Sequence, residues 1–151
     1  MRVLAIDLGS RRVGLAISDP SGVLARPLET LHVAGDDAVH AVADAIVRLA
    51  AEPDGLDLVV VGLPRRLDGT SNEQTPLVEA FVEALRRRVA QPIVLQDERL
   101  SSVEAESRLA IRDRDWRSRK RKLDAAAAAV ILQDYLDGHA MAAPAAVHER
   151  T

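Results

Sequence analysis

The sequence predicts an α/β domain built on a five-stranded mixed sheet: an antiparallel meander of the first three strands, two further parallel strands, and helices on both faces. Three observations carry this prediction. The first three β-like runs are separated by turns too short for anything but hairpins. The later β runs alternate with amphipathic stretches of helical length, so they are reached by crossovers, which are right-handed and place those strands parallel to the first. The 151 residues, 48% apolar and 28% charged, suit one globular domain with a sizeable core.

Taken in order, Val3-Leu4-Ala5-Ile6 is a β run and Val13 to Ser18 a second. Asp7 to Arg12 turns between them, with Gly9 free to take positive φ. Pro20-Ser21-Gly22 turns the chain again, and Val23 to Val33 forms a third strand in which Pro27 marks an edge or bulge. Asp36 or Asp37 caps a helix reaching about Ala51, with Val39, Val42, Ala43, Ile46 and Leu49 at helical spacing. Glu52-Pro53-Asp54-Gly55 stops it. Leu58 to Val61 is a continuous apolar run of the buried, parallel type, left at Gly62-Leu63-Pro64. A polar loop leads from there into a second helix, from Ser71 or Asn72 to Val89, carrying Leu77, Val78, Phe81, Val82 and Leu85. Pro92 to Leu95 is the fifth strand. After Asp97-Glu98-Arg99-Leu100, Ser101 caps a third helix, with Glu104 completing a capping box. The last helix runs from about Leu123 to Leu136 and stops at Asp137-Gly138. Residues 1–138 therefore read as one domain and 139–151 as a flexible tail.

Composition narrows the function classes. With no cysteine, disulfides, thiolate metal sites and cysteine nucleophiles are excluded. The longest uninterrupted apolar run, Ala125 to Leu132, is far short of the ~20 residues of a membrane helix, and strand-like Val-Leu-Ala-Ile comes too early for a signal peptide. The expectation is a cytoplasmic protein with no membrane partner. One Phe, one Trp and one Tyr cannot build the aromatic platforms on which bases stack. The net charge of −3 hides a segregation. Arg108 to Lys122 holds eight basic and two acidic residues, +6, leaving −9 elsewhere. Such a block is either a solvated helix end or loop, or a contact for a polyanion.

In open α/β sheets, sites collect beyond the carboxyl ends of parallel strands. Asp7 ends the first strand, Asp97 and Glu98 follow the fifth, and Asp124 opens the last helix. Singly, each has a structural reading: Asp7 bonding turn amides, Asp97 and Glu98 solvating a loop, Asp124 capping a helix. Together they would repel one another unless cations held them. An all-oxygen donor set without Cys or suitably spaced His selects Mg²⁺ or Mn²⁺ over zinc. A pair of such ions about 3.5–4 Å apart activates water and stabilises the leaving oxygen in phosphodiester cleavage. Arg11 and Arg12, on the turn beside Asp7, face phosphate or are ordinary turn residues. Asp68-Gly69-Thr70-Ser71-Asn72 reads as a turn plus helix cap, or as donors near the same sheet edge.

Ile6-Asp7-Leu8-Gly9-Ser10-Arg11-Arg12-Val13-Gly14-Leu15-Ala16, Val61-Gly62-Leu63-Pro64, Asp68-Gly69-Thr70, Asp97-Glu98-Arg99-Leu100-Ser101-Ser102 and Lys122-Leu123-Asp124-Ala125, in this order, resemble the YqgF/RuvX family. Its members are small bacterial proteins described as pre-16S rRNA nucleases and also labelled Holliday-junction-resolvase-like. The resemblance covers about residues 2–137 and implies a ribonuclease H-like fold, in agreement with the strand order. It implies a catalytic, metal-holding set of Asp7, Glu98 and Asp124, with Asp97 beside Glu98 as a further candidate metal ligand, and Mg²⁺ or Mn²⁺ as cofactor. Arg11, Arg12, Arg99, Arg117, Arg119, Lys120, Arg121 and Lys122 would meet the nucleic-acid backbone. The implied partner is structured RNA, precursor 16S rRNA in a pre-ribosomal particle, with branched DNA as the alternative and a monomer or weak dimer as the assembly. Where the family has a Lys-Gly-Lys-like flexible run, this chain has Arg119-Lys120-Arg121-Lys122 without glycine, which leaves an earlier start open for the last helix. Two other readings stand beside this one: a non-catalytic RNA-binding assembly factor, and an actin-like or sugar-kinase lobe, which length disfavours because those enzymes close two lobes around the nucleotide.

Overall fold

The computed structural model describes residues 1–66, 68–99 and 116–140, with side chains described except at Arg99, 116–124 and Ala140. Its elements are β1 (Val3–Leu8), β2 (Val13–Ser18), β3 (Ala25–Leu31), α1 (Asp36–Ala50), β4 (Leu58–Arg65), α2 (Thr75–Arg86), β5 (Ile93–Arg99) and α3 (Trp116–Ala140). The helix expected from Ser101 lies outside the described residues. The sheet order is β3-β2-β1-β4-β5. β2 is antiparallel to both β1 and β3, and β4 is parallel to both β1 and β5. The five-stranded mixed sheet with helices on both faces is the architecture read from the sequence.

Alternation along the strands sorts the core into two layers. Leu4, Ile6, Leu15, Ile17, Val59, Val61 and Leu63 point to one face, where α1 (Ala38, Val42, Ile46) and α2 (Val78, Phe81, Leu85) cover them. Val3, Ala5, Ala16, Leu58 and Val60 point to the other, where α3 alone among the described helices covers them with Ala128, Ile131, Leu132 and Leu136. The small residues of this second layer let α3 approach the sheet closely. Gln133 of α3 also grips the chain entering β3: its Oε1 accepts the Ala25 N–H at 2.9 Å and its Nε2 donates to the Val23 carbonyl at 3.0 Å.

Several boundaries differ from the sequence reading, each for a physical reason. Gly9 does not adopt positive φ. Its N–H donates to the Arg12 carbonyl at 2.8 Å, and a Cβ built there would meet that same oxygen at 2.8 Å, so close approach requires the glycine. β3 is shorter at both ends than Val23–Val33, and the bulge expected at Pro27 is present: Leu15 pairs with Glu29 but Ala16 with Pro27. Neither Asp36 nor Asp37 caps α1. Gly35, at φ 58°, precedes the helix, and both acids occupy its first turn, where they oppose the positive dipole end. α2 is likewise shorter at both ends, with Asn72 and Thr75 exchanging bonds ahead of it: Asn72 Oδ1 accepts the Thr75 N–H at 3.0 Å while Thr75 Oγ1 accepts the Asn72 N–H at 2.9 Å. α3 starts seven residues before Leu123 and passes Gly138 to Ala140.

The most consequential differences are at β4 and β5. Both run on beyond their apolar cores, pairing from Val59↔Ile93 to Arg65↔Arg99, whereas β1 and β4 pair only as far as Ile6↔Val61. Gly62-Leu63-Pro64 therefore stays in the strand rather than leaving it. The Pro64 carbonyl is taken by the Thr75 hydroxyl at 2.5 Å instead of by a neighbouring strand.

Candidate active site at the carboxyl edge of the sheet

The extension of β5 places Asp97 and Glu98 within a strand, and consecutive strand residues face opposite ways. Glu98 pairs with Pro64 and shares the parity of Val94, on the α3 face. Asp97 pairs with Leu63 and shares the parity of Ile93, on the α1–α2 face. There its Oδ1 lies 3.8 Å from Arg65 Nε. Asp7, with the parity of Val3 and Ala5, is on the α3 face opposite Gly14 of β2. The sheet thus brings Asp7 and Glu98 to one face and one edge, and turns Asp97 away from them. Asp124 lies in α3, four residues before the fully buried Ala128; its side chain is outside the described residues.

The Gly9–Arg12 turn carries Arg11, which is exposed, and Arg12, which is half-buried. Arg99 ends β5, and Arg117, Arg119, Lys120, Arg121 and Lys122 lie in the first turns of α3. The rest of the basic block, from Arg108 to Asp115, is outside the described residues.

The Asp68-Gly69-Thr70 turn is internally satisfied. Asp68 Oδ1 accepts the Thr70 N–H at 2.9 Å and its hydroxyl at 2.7 Å, and these bonds hold the carboxyl below the usual carboxylate range. Gly69 takes φ 87°, and the loop closes with Arg66 N–H to the Thr70 carbonyl at 3.0 Å. This is the structural reading of that motif. A groove of about 360 Å³, lined by Leu8, Gly9, Ser10, Asp36, Leu77 and Phe81 among others, opens between α1 and α2, on the face away from Asp7 and Glu98.

Sequence reasoning missed two residues here. Arg65, read as part of a polar loop, is the cation beside Asp97. Gly62, read as a strand terminator, lies under α3: a Cβ built there would come within 2.6 Å of Ile131 Cδ1. A glycine inside a strand is itself the signal, because it marks a close approach of another group.

A family model described as "RuvX: Holliday junction resolvase" matches residues 1–138. The chain belongs to the RuvX family. Relatives in the family include a Geobacillus kaustophilus protein named "Putative pre-16S rRNA nuclease", 40% identical over 139 residues that cover 91% of this chain and 98% of that one. A Maridesulfovibrio salexigens protein of the same name is 42% identical over 136 residues, 90% of this chain and 98% of that one. Among solved structures, Thermus thermophilus RuvC superposes with a TM-score of 0.51 at 16% identity, covering 95% of this chain and 97% of that chain, so this RuvX-family chain has the ribonuclease H-like fold. None of its described helices is long and apolar enough to cross a membrane.

All-oxygen donors suit Mg²⁺ or Mn²⁺, and Asp7 and Glu98 supply such donors from two strands with β4 between them. Among the described residues no group of three acids or histidines is already gathered as a metal centre. A third ligand on this face would come from α3, where Asp124 lies.

Proposed function

We propose that this chain is a divalent-metal-dependent nuclease that hydrolyses RNA phosphodiester bonds in maturing the 5′ end of precursor 16S rRNA. The observation that carries the reading is the convergence of Asp7 and Glu98 on the sheet face covered by α3, the helix that contains Asp124. The names of the curated relatives support the substrate.

Asp7, Glu98 and Asp124 would hold Mg²⁺ or Mn²⁺, which when bound supplies Lewis acidity to the scissile phosphate and to the attacking water. The protein contributes geometry. β1 and β5 fix two carboxylates on one rigid sheet, and packing of Ala128, Ile131 and Leu132 fixes the helix that carries the third. Arg11, Arg12 and the basic first turns of α3 hold phosphates without reading bases, consistent with a chain holding only three aromatics. Asp97, ion-paired with Arg65 on the opposite face, has no place in this set.

The test offers purified protein, with Mg²⁺ or Mn²⁺, a precursor 16S rRNA fragment, plain single-stranded RNA and a DNA four-way junction side by side. Wild type cleaves the precursor, and Asp7→Asn does not. Equal metal-dependent activity in both refutes the assignment. Cleavage of the junction alone would move the substrate to branched DNA, the activity in the family model's description. Tight RNA binding without turnover at any metal concentration would instead make the chain an assembly factor. Replacing Arg119, Lys120, Arg121 and Lys122 by Ala lowers the slope of log affinity against log salt by up to about 3 if all four meet single-stranded phosphates. An unchanged slope removes these residues from the interface.

A further inference from the structure

We propose that Gly62 is a positioning residue: with nothing beyond the Cβ position there, Glu98 can lean back across β4 toward Asp7. The inference rests on the reading of Asp7 and Glu98 as ligands of a shared cation site. β1 and β5 are separated by β4, so their backbones lie about 9.6 Å apart across two strand spacings. Along the strands they are also offset. The β1–β4 register, continued one residue past Ile6↔Val61, brings Asp7 level with Gly62, whereas Glu98 is level with Pro64, two residues further out. Standing straight out of the sheet, these carboxylates could not both approach one ion at metal–oxygen distances of about 2.0–2.1 Å.

Glu98 does not stand straight. Its Cγ lies 3.5 Å from a Cβ built on Gly62, although diagonal neighbours on adjacent strands are about 7–8 Å apart, with their Cβ atoms only somewhat closer. The Glu98 stem is therefore drawn back over Gly62, into the row of Asp7. From above, Ile131 of α3 closes the same spot: its Cδ1 is 2.6 Å from that Cβ and its Cγ1 3.4 Å. A methyl group at position 62 collides with Ile131 but only touches Glu98. Branches beyond the methyl group occupy the path of the glutamate stem. These two effects can be separated by substitution.

The experiment measures Mn²⁺ affinity of the full chain by electron paramagnetic resonance titration, alongside thermal melts. Gly62→Ala with Ile131→Val, which deletes the colliding Cδ1, keeps affinity within about twofold of wild type. Gly62→Val with Ile131→Ala, which makes room under α3 but fills the path of Glu98, melts cooperatively and loses at least about tenfold in affinity, the scale of a lost supporting interaction. Glu98→Asp keeps the charge but is shorter by one carbon–carbon bond, about 1.5 Å, and loses affinity similarly; if the valine variant does not fold, Gly62→Ser with Ile131→Ala takes its place, with the same loss expected. Wild-type affinity in Glu98→Asp, or in the folded Gly62→Val or Gly62→Ser variant, overturns the inference, as does a tenfold loss in the alanine–valine variant, which would make the site sensitive to packing rather than to the glutamate path. Asp7→Asn tests the underlying reading separately: if it binds Mn²⁺ as wild type does, the shared cation site is wrong whatever the Gly62 variants do.

Discussion

Replacing Arg2 by Met should destabilise the protein through a few identifiable hydrogen bonds. Arg2 is only 7% exposed, just before β1. Its Nε donates to the Gly55 carbonyl at 2.6 Å, one terminal nitrogen to the Leu49 carbonyl at 2.8 Å and the other to Glu52 Oε1 at 2.9 Å. It thereby joins the start of the Asp7 strand to the carboxyl end of α1, where a cation also complements the helix dipole. The Glu52 side chain is 52% exposed, so that ion pair contributes at most about 1 kcal/mol. The two carbonyl bonds are charge-assisted and shielded, worth about 1.5–3 kcal/mol each. Methionine keeps the apolar stem and removes the cost of burying a charge, which offsets part of the loss. The net expectation is a loss of about 2–4 kcal/mol, or roughly 4–16 °C in Tm at about 2–4 °C per kcal/mol for a chain of this size. Urea melts of wild type, Arg2→Met and Glu52→Gln decide it. Arg2→Met within 1 kcal/mol of wild type, or Glu52→Gln costing as much as Arg2→Met, would refute the assignment of stability to the carbonyl bonds.

Two further outcomes follow from the packing and the turns. Leu132, with no exposed surface in the α3-facing core, should cost about 3–4 kcal/mol on truncation to Ala, while Leu77→Ala on the exposed side of α2 stays within about 0.5 kcal/mol; parallel urea melts compare them. Asp19 accepts N–H bonds from Ser21, Val23 and Leu24 and the Ser21 hydroxyl, and these hold its carboxyl far below its ordinary value. A depressed folded-state value gives stability that is present above the unfolded carboxylate range and is lost as pH falls toward the folded one. Asp19→Asn should therefore melt below wild type near pH 7 and converge with it in strong acid; a gap independent of pH would point to packing instead.

The sheet was legible in the sequence because its signals were local. Short turns between β1, β2 and β3 admit only hairpins, and the continuous Leu58–Val61 run admits only a buried strand. The ends of β4 and β5 were not legible, since Gly62, Pro64, Asp97 and Glu98 are individually poor strand residues. They remain in strand because the two segments pair with each other past the end of β1, a tertiary fact that no local propensity carries. With Asp97 and Glu98 read as following the strand, nothing in the residues themselves tells which faces which way, whereas the strand's two-residue period separates them onto opposite faces. The acids at the carboxyl edge could be found from topology alone. The tilt of Glu98 over Gly62 depends on α3 and on the β4–β5 register together.

The two core layers also differ in when they can be completed during synthesis. The layer under α1 and α2 has every one of its strands and helices once β5 has emerged. The layer under α3 pairs Val3 and Ala5 with Ala128, Ile131 and Leu132, so it waits for the far end of the chain. At about 5–20 residues per second, the 41 residues from Leu100 to Ala140 take roughly 2–8 s to translate. During that interval a nascent chain has one finished face and one still without α3, and the latter holds Asp7 and Glu98. Premature release leaves that apolar layer without the helix that carries Asp124.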